Sequence, residues 1–241
     1  MNLVIDVGNS FVKLAIFNDN DLIDKVIVAV EAILDQVDAL RLKYKIEKAI
    51  ISSVGKLNED VSDCISKSFN VLMLGATTKL PFLNLYKTPN TLGIDRIALV
   101  SAAVSQFPNK NTLIIDAGTC VTYDFITADA KYLGGAISPG IRMRYQSLND
   151  LTANLPLLET EMPENIIGNT TNSAIHSGVV NGILREIDGL IGEYRLKYSD
   201  LTVILTGGDA NFLSKQLKSS IFANSNFLLQ GLNYILKFNS N

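Results

Sequence analysis

The residues best suited to chemistry lie in a short polar segment, Asp6 to Lys13, near the start of the sequence. This segment combines a carboxylate, a glycine, an amide, a hydroxyl and an ammonium between two apolar runs rich in β-branched residues. A plain β-hairpin is one interpretation, because Gly and Asn suit a tight turn. A turn needs only one or two such residues, however. The full set suits a phosphate and its metal ion, which require open N–H groups, a lysine charge and a carboxylate.

A second copy of this pattern lies further along the chain. Residues 3–9 align without a gap on residues 113–119, so that the Asp-x-Gly of the first copy recurs at Asp116 and Gly118. The period is too long for a solenoid repeat and suits two homologous halves of ordinary domain size. We therefore expect one half at 1–110 and the other at 111–241.

Hydrophobic periodicity predicts that each half begins with a three-strand meander and continues with alternating helices and strands. The predicted elements are strands at 3–5, 12–17 and 25–30, a helix at 31–44, a strand at 48–54, a helix at 58–69, a strand at 70–74, a loop at 76–92, a helix at 95–106, strands at 112–115, 122–126 and 132–137, helices at 140–151 and 172–198, a strand at 201–205 and two short final helices. This order predicts an α/β chain of two similar layers with a cleft between them. Ligands of such sheets usually bind at the strand ends, where the Gly-rich turns lie.

Composition argues against several classes of function. Of the 241 residues 19% are charged, the net charge is −3, and no Lys/Arg-rich tract indicates a nucleic-acid partner. No apolar run has the length of a membrane span, and the first residues lack the basic region of a signal peptide. Cys64 and Cys120 suit a reducing cytoplasm, with Cys120 interpreted as a small apolar residue rather than a reactive thiol. A single histidine, His176, excludes multi-histidine metal sites.

Four motifs together resemble a known superfamily. They are D-V-G-N-S-x-x-K at 6–13, G-I-D-R at 93–96, D-A-G-T-x-x-T at 116–122 and G-G-A-I-S-P-G at 134–140. Their order and spacing resemble the acetate kinase, sugar kinase, heat-shock chaperone and actin superfamily, and more narrowly the type III pantothenate kinases. The resemblance extends from Asp6 to about Gly208, with Ser10 in place of the usual Thr and Cys120 in place of a small residue. It implies duplicated actin-like (ribonuclease H-like) halves, each a mixed sheet with flanking helices.

The resemblance implies that ATP binds at both repeated turns. Asp6 matches the position that serves Mg²⁺, while Lys13 and the N–H groups of the turn face the phosphates. Thr119 matches the opposite side of the phosphate clamp. The complete set implied for ATP is Asp6, Val7, Gly8, Asn9, Ser10, Phe11, Val12, Lys13 and Thr119.

A bound monovalent cation, K⁺ or NH₄⁺, is implied at Asp116. Carboxylate and backbone oxygens are suitable ligands for such a hard cation. The alternative is that Asp116 is a turn residue that caps its own hairpin.

Asp95 matches the general base for the hydroxyl group of the substrate. Phosphoryl transfer is mostly positioning and charge neutralisation, and a carboxylate that orients the hydroxyl proton is a recurring part. Without the surrounding motifs, Asp95 reads as an acidic residue favoured at a helix N-terminus by the helix dipole.

The remaining matches concern pantothenate. Arg96 has a planar fork that can bind a carboxylate through two hydrogen bonds, although a surface helix residue is the alternative. Thr171 matches a substrate contact, and it is also a candidate N-cap of the long helix. The complete set implied for pantothenate is Tyr86, Gly93, Ile94, Asp95, Arg96 and Thr171.

The resemblance implies ATP-dependent phosphorylation of pantothenate to 4'-phosphopantothenate, the first step of coenzyme A biosynthesis, by a cytoplasmic homodimer. One alternative is a kinase of another small hydroxy compound. A second is a nucleotide-binding regulatory protein on the same fold. Retention of Asp6, Lys13, Asp95 and Asp116 favours catalysis.

Overall fold

The structure is a computed structural model in which residues 1–8, 11–53, 58–75 and 77–240 are described. Asn9 and Ser10 of the first turn, and Val54 and Gly55 at the predicted end of a strand, lie outside these ranges. The strands are β1 (Asn2–Val7), β2 (Val12–Asn18), β3 (Asp21–Val28), β4 (Lys48–Ser53), β5 (Asn70–Met73), β6 (Leu83–Asn84), β7 (Thr112–Ala117), β8 (Cys120–Ile126), β9 (Lys131–Pro139), β10 (Thr202–Thr206) and β11 (Phe222–Ala223). The α-helices are α1 (Ile33–Lys43), α2 (Glu59–Ser68), α3 (Ile94–Gln106), α4 (Ile141–Asp150), α5 (Thr171–His176), α6 (Gly182–Lys197), α7 (Ala210–Ser214) and α8 (Phe227–Phe238).

The chain divides into two compact units. Unit 1 comprises Met1–Pro108, Ala130–Tyr132 and Asn226–Asn241, and unit 2 comprises Asn109–Asp129 and Leu133–Ser225. The C-terminal helix α8 thus groups with unit 1, which differs from the division at residue 110 that the repeat predicts. Close packing is the reason, since a Cβ atom at Gly231 of α8 would lie only 1.9 Å from the carbonyl oxygen of Ala98 in α3.

The sheets of the two units have the same strand order, which confirms the predicted α/β duplication. In unit 1 the order is β3-β2-β1-β4-β5, and in unit 2 it is β9-β8-β7-β10-β11. The first strand of each unit is antiparallel to the second and parallel to the fourth. Each half is therefore a mixed sheet with the polar turns at the ends of its central strands.

The two hairpins differ by one residue in their turns. Val7 pairs with Val12 in the first hairpin, whereas Ala117 pairs with Val121 in the second, which is one residue shorter. As a result, Asp6 lies opposite Lys13, but Asp116 lies opposite Thr122.

Strand alternation determines which helices face the site in unit 1. Leu3, Ile5 and Val7 of β1 pack into the core cluster that includes α1. Val4 packs on the opposite face with residues of α3 and α8. Side chains two residues apart share a face of a strand, so Asp6 points to the same side as Val4, which α3 covers.

Several predicted elements have different boundaries or composition in the structure. The third strand begins at Asp21 rather than at residue 25, and the predicted loop at 76–92 contains β6, which pairs with the first residues of β9. The predicted long helix at 172–198 consists of α5, a π-helical stretch at Ser177–Asn181 and α6. Among the described residues, no helix combines the length and apolar character needed to cross a membrane.

The contact between α8 and α3 predicts that adding a methyl group at Gly231 lowers the stability of the protein. We expect Gly231→Ala to lower the free energy of unfolding by about 1–3 kcal/mol, because a Cβ at this position would overlap the Ala98 carbonyl. Gly192→Ala in α6 is the matched control, since its Cβ would meet no atom within 4 Å. Urea unfolding should show the control equal to or up to about 1 kcal/mol more stable than the parent, since Ala favours helix. Equal stability of the two variants would contradict the packing of α8 on α3.

Candidate active site

Asp6 is a buried carboxylate at the carboxyl end of β1. It is only 7% exposed, and its Oδ2 lies 3.5 Å from the ammonium of Lys13 on the neighbouring strand. Burial raises the pKa of Asp6 above its ordinary value; Lys13 opposes this shift and the charge of Asp95 adds to it. Within unit 1, Asp6 therefore lies close enough to Lys13 and to Asp95 for its charge to interact with the charge of each.

Ser52 is the second polar neighbour of Asp6. It lies opposite Asp6 on the parallel strand β4 and is 1% exposed. Its hydroxyl has no hydrogen-bond partner among the described residues. A buried hydroxyl without a partner costs free energy, so this position suits an additional polar group beside Asp6.

The turn after Asp6 is only partly described. The N–H of Gly8 donates to the carbonyl of Phe11 at 3.1 Å, and the Phe11 side chain is 60% exposed. Val7 and Val12 are buried core residues that fix the two strand ends. The sequence-predicted contacts of Asn9 and Ser10 lie outside the described residues.

Asp95 lies in the first turn of α3, as predicted, with Gly93 as the N-cap residue. Its Oδ1 accepts a hydrogen bond from the backbone N–H of Arg96 at 2.8 Å. A Cβ atom at Gly93 would lie 2.3 Å from that same Oδ1. The carboxylate of Asp95 thus folds back over Gly93, in a position that any larger residue at 93 would displace. Ile94 is the first residue of the helix.

Arg96 and Tyr86 form a second cluster beside Asp95 in the chain. Arg96 is 5% exposed, and its guanidinium carbon lies 5.5 Å from the centre of the Tyr86 ring. The Tyr86 ring in turn stacks on Tyr132 with a centroid distance of 6.0 Å. Arg96 is therefore a buried cation held against an aromatic wall rather than a solvated helix residue.

In unit 2, Asp116 occupies the position that Asp6 has in unit 1. Its register partners on the two neighbouring strands are Thr122 and Thr206, so the three side chains share one face of the sheet. The Thr122 hydroxyl is buried and has no hydrogen-bond partner among the described residues. A Cβ at Gly207, whose φ is +95°, would lie 2.4 Å from Oδ1 of Asp116. This face of the sheet therefore carries one carboxylate and two hydroxyl groups, and the backbone at Gly207 lies close to the carboxylate.

Thr119 lies in the exposed turn after Asp116, and the N-terminus of α4 packs against that turn. The N–H of Gly140 donates to the carbonyl of Thr119 at 3.1 Å. A Cβ at Gly140 would lie 2.0 Å from the Gly118 carbonyl oxygen. A cavity of about 500 Å³ opens beside the turn; its lining residues are Gly118, Thr119, Arg142, Met143, Gln146 and Asp209.

Thr171 is an exposed residue at the start of α5, and it is not the N-cap. The N-cap is Thr170, whose hydroxyl accepts from the N–H of Ser173, while the Ser173 hydroxyl accepts from the N–H of Thr170. The sequence interpretation of Thr171 as the cap is therefore wrong by one residue. The cause is that Ser173 stands three residues after Thr170 and completes a reciprocal capping box. Thr171 is not among the described residues that line the cavity at Thr119.

Sequence reasoning missed several residues of these clusters. Tyr132 supports Tyr86 through a pairing of β6 with β9, which a two-residue strand does not reveal in the sequence. Arg142, Met143 and Gln146 lie on α4, which begins directly after the G-G-A-I-S-P-G motif, and their helical spacing was the available signal. Among the described residues, no three His, Cys, Asp or Glu side chains are grouped as ligands for a metal ion.

Comparisons with known proteins agree with these features. The sequence model of the type III pantothenate kinase family matches residues 2–193. The chain is similar to the type III pantothenate kinase of Christiangramia forsetii, with 53% identity over 99% of each chain. It is also similar to that of Flavobacterium psychrophilum, with 48% identity and 99% coverage of each chain.

Solved structures show the same fold at low identity. A Campylobacter jejuni protein described as a Baf family transcriptional activator superimposes with a TM-score of 0.63 and 24% identity, covering 98% of each chain. A ROK family glucokinase from Streptomyces griseus, in complex with glucose and AMPPNP, superimposes with a TM-score of 0.56 and 11% identity, covering 99% of this chain and 98% of its own. These similarities establish an actin-like sugar kinase fold. On the family match and its full-length relatives, the chain belongs to the type III pantothenate kinase family.

Proposed function

We propose that the protein transfers the γ-phosphoryl group of ATP to the hydroxyl of pantothenate and that Asp95 is the general base. The reaction yields 4'-phosphopantothenate and ADP, and it opens coenzyme A biosynthesis. The observation that carries the proposal is the grouping of Asp6, Lys13 and Asp95 within unit 1, with buried Arg96 following directly on the helix.

Asp6 and Lys13 are proposed to hold the Mg²⁺ and phosphates of the substrate MgATP. A divalent cation near Asp6 would favour its ionised form, which burial otherwise disfavours. Lys13 is 46% exposed at its side chain, so its ammonium can turn toward a phosphate while staying near Asp6. The Ser52 hydroxyl, which has no hydrogen-bond partner among the described residues, supports the same assignment, because it offers a polar contact on the same face of the sheet as Asp6.

Thr119 and the cavity beside it are proposed to take another part of the nucleotide. The volume of about 500 Å³ lies in the range of small-molecule sites. Arg142 supplies a cation there, and Met143 supplies an adaptable apolar surface that suits a planar base.

The proposed acid–base step uses the geometry at the start of α3. The hydroxyl oxygen of pantothenate forms a bond to the γ-phosphorus as the bond to ADP breaks, and the hydroxyl proton passes to Asp95. The backbone N–H of Arg96 donates to Oδ1 of Asp95, which leaves Oδ2 free to accept from the hydroxyl of pantothenate. Arg96 and Tyr86 are proposed to bind the carboxylate end of pantothenate, because a buried guanidinium favours an anionic partner. Thr171 is proposed to contact the same substrate.

The donor set at Asp116 fits a monovalent cation. Asp116, Thr122 and Thr206 offer one carboxylate and two hydroxyls on one face, and the Thr122 hydroxyl is buried without a partner among the described residues. K⁺ or NH₄⁺ bound there would add positive charge near the phosphate turn at Thr119.

We also propose that the protein is a homodimer in the cytoplasm. The kinase assignment is preferred to a regulatory role because the acidic residues and Lys13 are retained.

The general-base role predicts the effect of Asp95→Asn. We expect kcat to fall about 10²–10⁴-fold, because Asn cannot take the proton. ATP affinity should change less than threefold, and the melting temperature should be kept, because Asn Oδ1 can still accept the Arg96 N–H. Steady-state kinetics, ATP titration and thermal unfolding measure these quantities. A near-normal kcat in the folded variant would disprove the general-base role.

Gly93→Ala is the companion variant, because it keeps the carboxylate but moves it. The new Cβ would meet Oδ1 of Asp95 at 2.3 Å, and a displacement of about 1 Å can cost about 100-fold in rate. Gly75→Ala, in the same unit with no atom within 4 Å of its Cβ, serves as control and should keep its activity.

We expect Asp6→Asn to lower activity and to raise stability. The value of kcat/KM for MgATP should fall about 100-fold or more, because the variant lacks a charged group of the active site. The pKa of Asp6 is higher in the folded state than in the unfolded state. Between these two pKa values the folded protein binds more protons, so the stability of the parent declines as the pH rises through this range. The variant should therefore melt higher at pH 7, and this gain should vanish at acidic pH.

Asp24→Asn provides a control of opposite sign. Hydrogen bonds from Lys43 and Tyr44 lower the pKa of Asp24, so its stabilising effect is present at neutral pH and lost on acidification. Melting curves from pH 3 to pH 8 should show Asp24→Asn less stable than the parent at pH 7. If Asp6→Asn destabilised the protein at neutral pH in the same way, the assignment of Asp6 as a desolvated charge would be wrong.

The cation assignment predicts salt-specific activity. We expect rates at least about tenfold higher in K⁺ or NH₄⁺ than in Na⁺ at equal ionic strength. Asp116→Asn should remove this difference, because the carboxylate supplies the negative charge of the site. Initial rates in the three chloride salts test this. Equal rates for the parent in all three would reject the site.

A further inference from the structure

Arg144 is the centre of a polar network in unit 2 that the proposed chemistry does not use. Its Nη2 lies 2.5 Å from Oε2 of Glu186 on α6 and donates to the hydroxyl of Ser138 at 2.9 Å. The other carboxylate oxygen of Glu186 accepts the hydroxyl hydrogen of Tyr123 at 3.0 Å. The network therefore links α4, α6, β8 and β9 through one guanidinium and one carboxylate.

The pair is largely removed from solvent and well satisfied. The Arg144 and Glu186 side chains are 20% and 28% exposed. Burial alone would raise the pKa of Glu186, but hydrogen bonds from Arg144, Ser138 and Tyr123 outweigh it and lower the pKa. A shielded ion pair with its acceptors occupied is costly to break and fixes its partners in one geometry.

The same guanidinium reaches the turn that enters α4. Nε of Arg144 donates to the carbonyl of Pro139 at 2.9 Å, while the Arg144 backbone N–H bonds the carbonyl of Gly140. Gly140 in turn donates its N–H to the carbonyl of Thr119. A continuous chain of hydrogen bonds thus runs from Glu186 through Arg144 and the Pro139–Gly140 turn to the turn at Thr119.

We propose that Arg144 is a positioning residue that holds the Ser138–Gly140 segment against the Thr119 turn and so sets the affinity for ATP. The inference rests on the proposed function, since it takes Thr119 as a nucleotide contact. Arg144 does not line the cavity at Thr119, so its effect is transmitted through the backbone of Gly140. The fork geometry is essential, because one side chain must serve Pro139, Ser138 and Glu186 at once.

Arg144→Lys tests this, because it keeps the charge and removes the fork. We expect KM for MgATP to rise about 5–30-fold, while KM for pantothenate stays within twofold. The Gly140 amide should exchange with deuterium about tenfold faster, whereas amides in β10 should be unchanged, a readout that does not depend on activity. Arg195→Lys is the matched control; Arg195 donates to the Ser220 carbonyl elsewhere in unit 2, and its replacement should leave both KM values unchanged.

Thr119→Val, alone and combined with Arg144→Lys, separates this inference from the proposed function. If the two residues act through one turn, their effects on KM for MgATP should be less than additive in the double variant. No effect of Thr119→Val would overturn the proposed nucleotide role of Thr119 and the inference with it. An effect of Thr119→Val with none from Arg144→Lys, full additivity, or an equal rise of both KM values would overturn the inference alone.

Discussion

The central constraint in unit 1 is a carboxylate, Asp6, at the buried end of the central strand, where the surrounding packing makes its charge costly. Asp6 lies on the face of β1 that α3 covers, because strand alternation places it on the same side as core residue Val4. Burial there disfavours the charged form, and the one cation paired with it among the described residues is Lys13. The neighbouring charge of Asp95 increases the cost. Unit 1 thus holds a desolvated negative charge whose cost a bound cation would relieve, and such destabilisation is common at active sites.

Unit 2 repeats the architecture of unit 1 but has different polar side chains around the equivalent aspartate. Asp116 occupies the same strand position as Asp6, but a hairpin shorter by one residue places Thr122 opposite it instead of a lysine. Thr206 stands on the parallel strand where unit 1 has Ser52. Unit 1 therefore offers a carboxylate with an ammonium, whereas unit 2 offers a carboxylate with hydroxyls. One repeated backbone thus presents two polar clusters of different charge.

Much of this arrangement was predictable, since it follows from local patterns. The paired Asp-x-Gly turns, the meanders and the position of Asp95 at a helix N-terminus depend on residues that are neighbours in sequence. The missed features depend on contacts between distant segments. Tyr132 meets Tyr86 through a two-residue strand, and α8 joins unit 1 because Gly231 packs on Ala98. Periodicity carries no information about such pairings.

Errors of one residue also have a physical origin. Thr170 and Thr171 are equally good N-caps by residue type, and only the Ser173 hydroxyl, which bonds back to Thr170, decides between them. Likewise, residues 172–198 were predicted to form one helix, but a π-helical stretch, in which Asn181 donates to the hydroxyl of Ser177, interrupts it. Side-chain bonding to nearby polar groups therefore adjusts boundaries that propensity leaves open.

Glycines without room for a side chain determine how closely the backbone approaches the proposed catalytic groups. A Cβ at Gly93 would strike Oδ1 of Asp95, and one at Gly140 would strike the carbonyls of the Thr119 turn. In each case the neighbouring atom is one that the proposed mechanism uses or positions. By contrast, a Cβ added at Gly75 or Gly192 would meet no atom within 4 Å. The close approach is therefore a property of these motif glycines and is not shared by Gly75 or Gly192. It would also allow the Arg144 guanidinium to act on the Thr119 turn as proposed, because the intervening contact is made by the backbone of Gly140, which has no side chain.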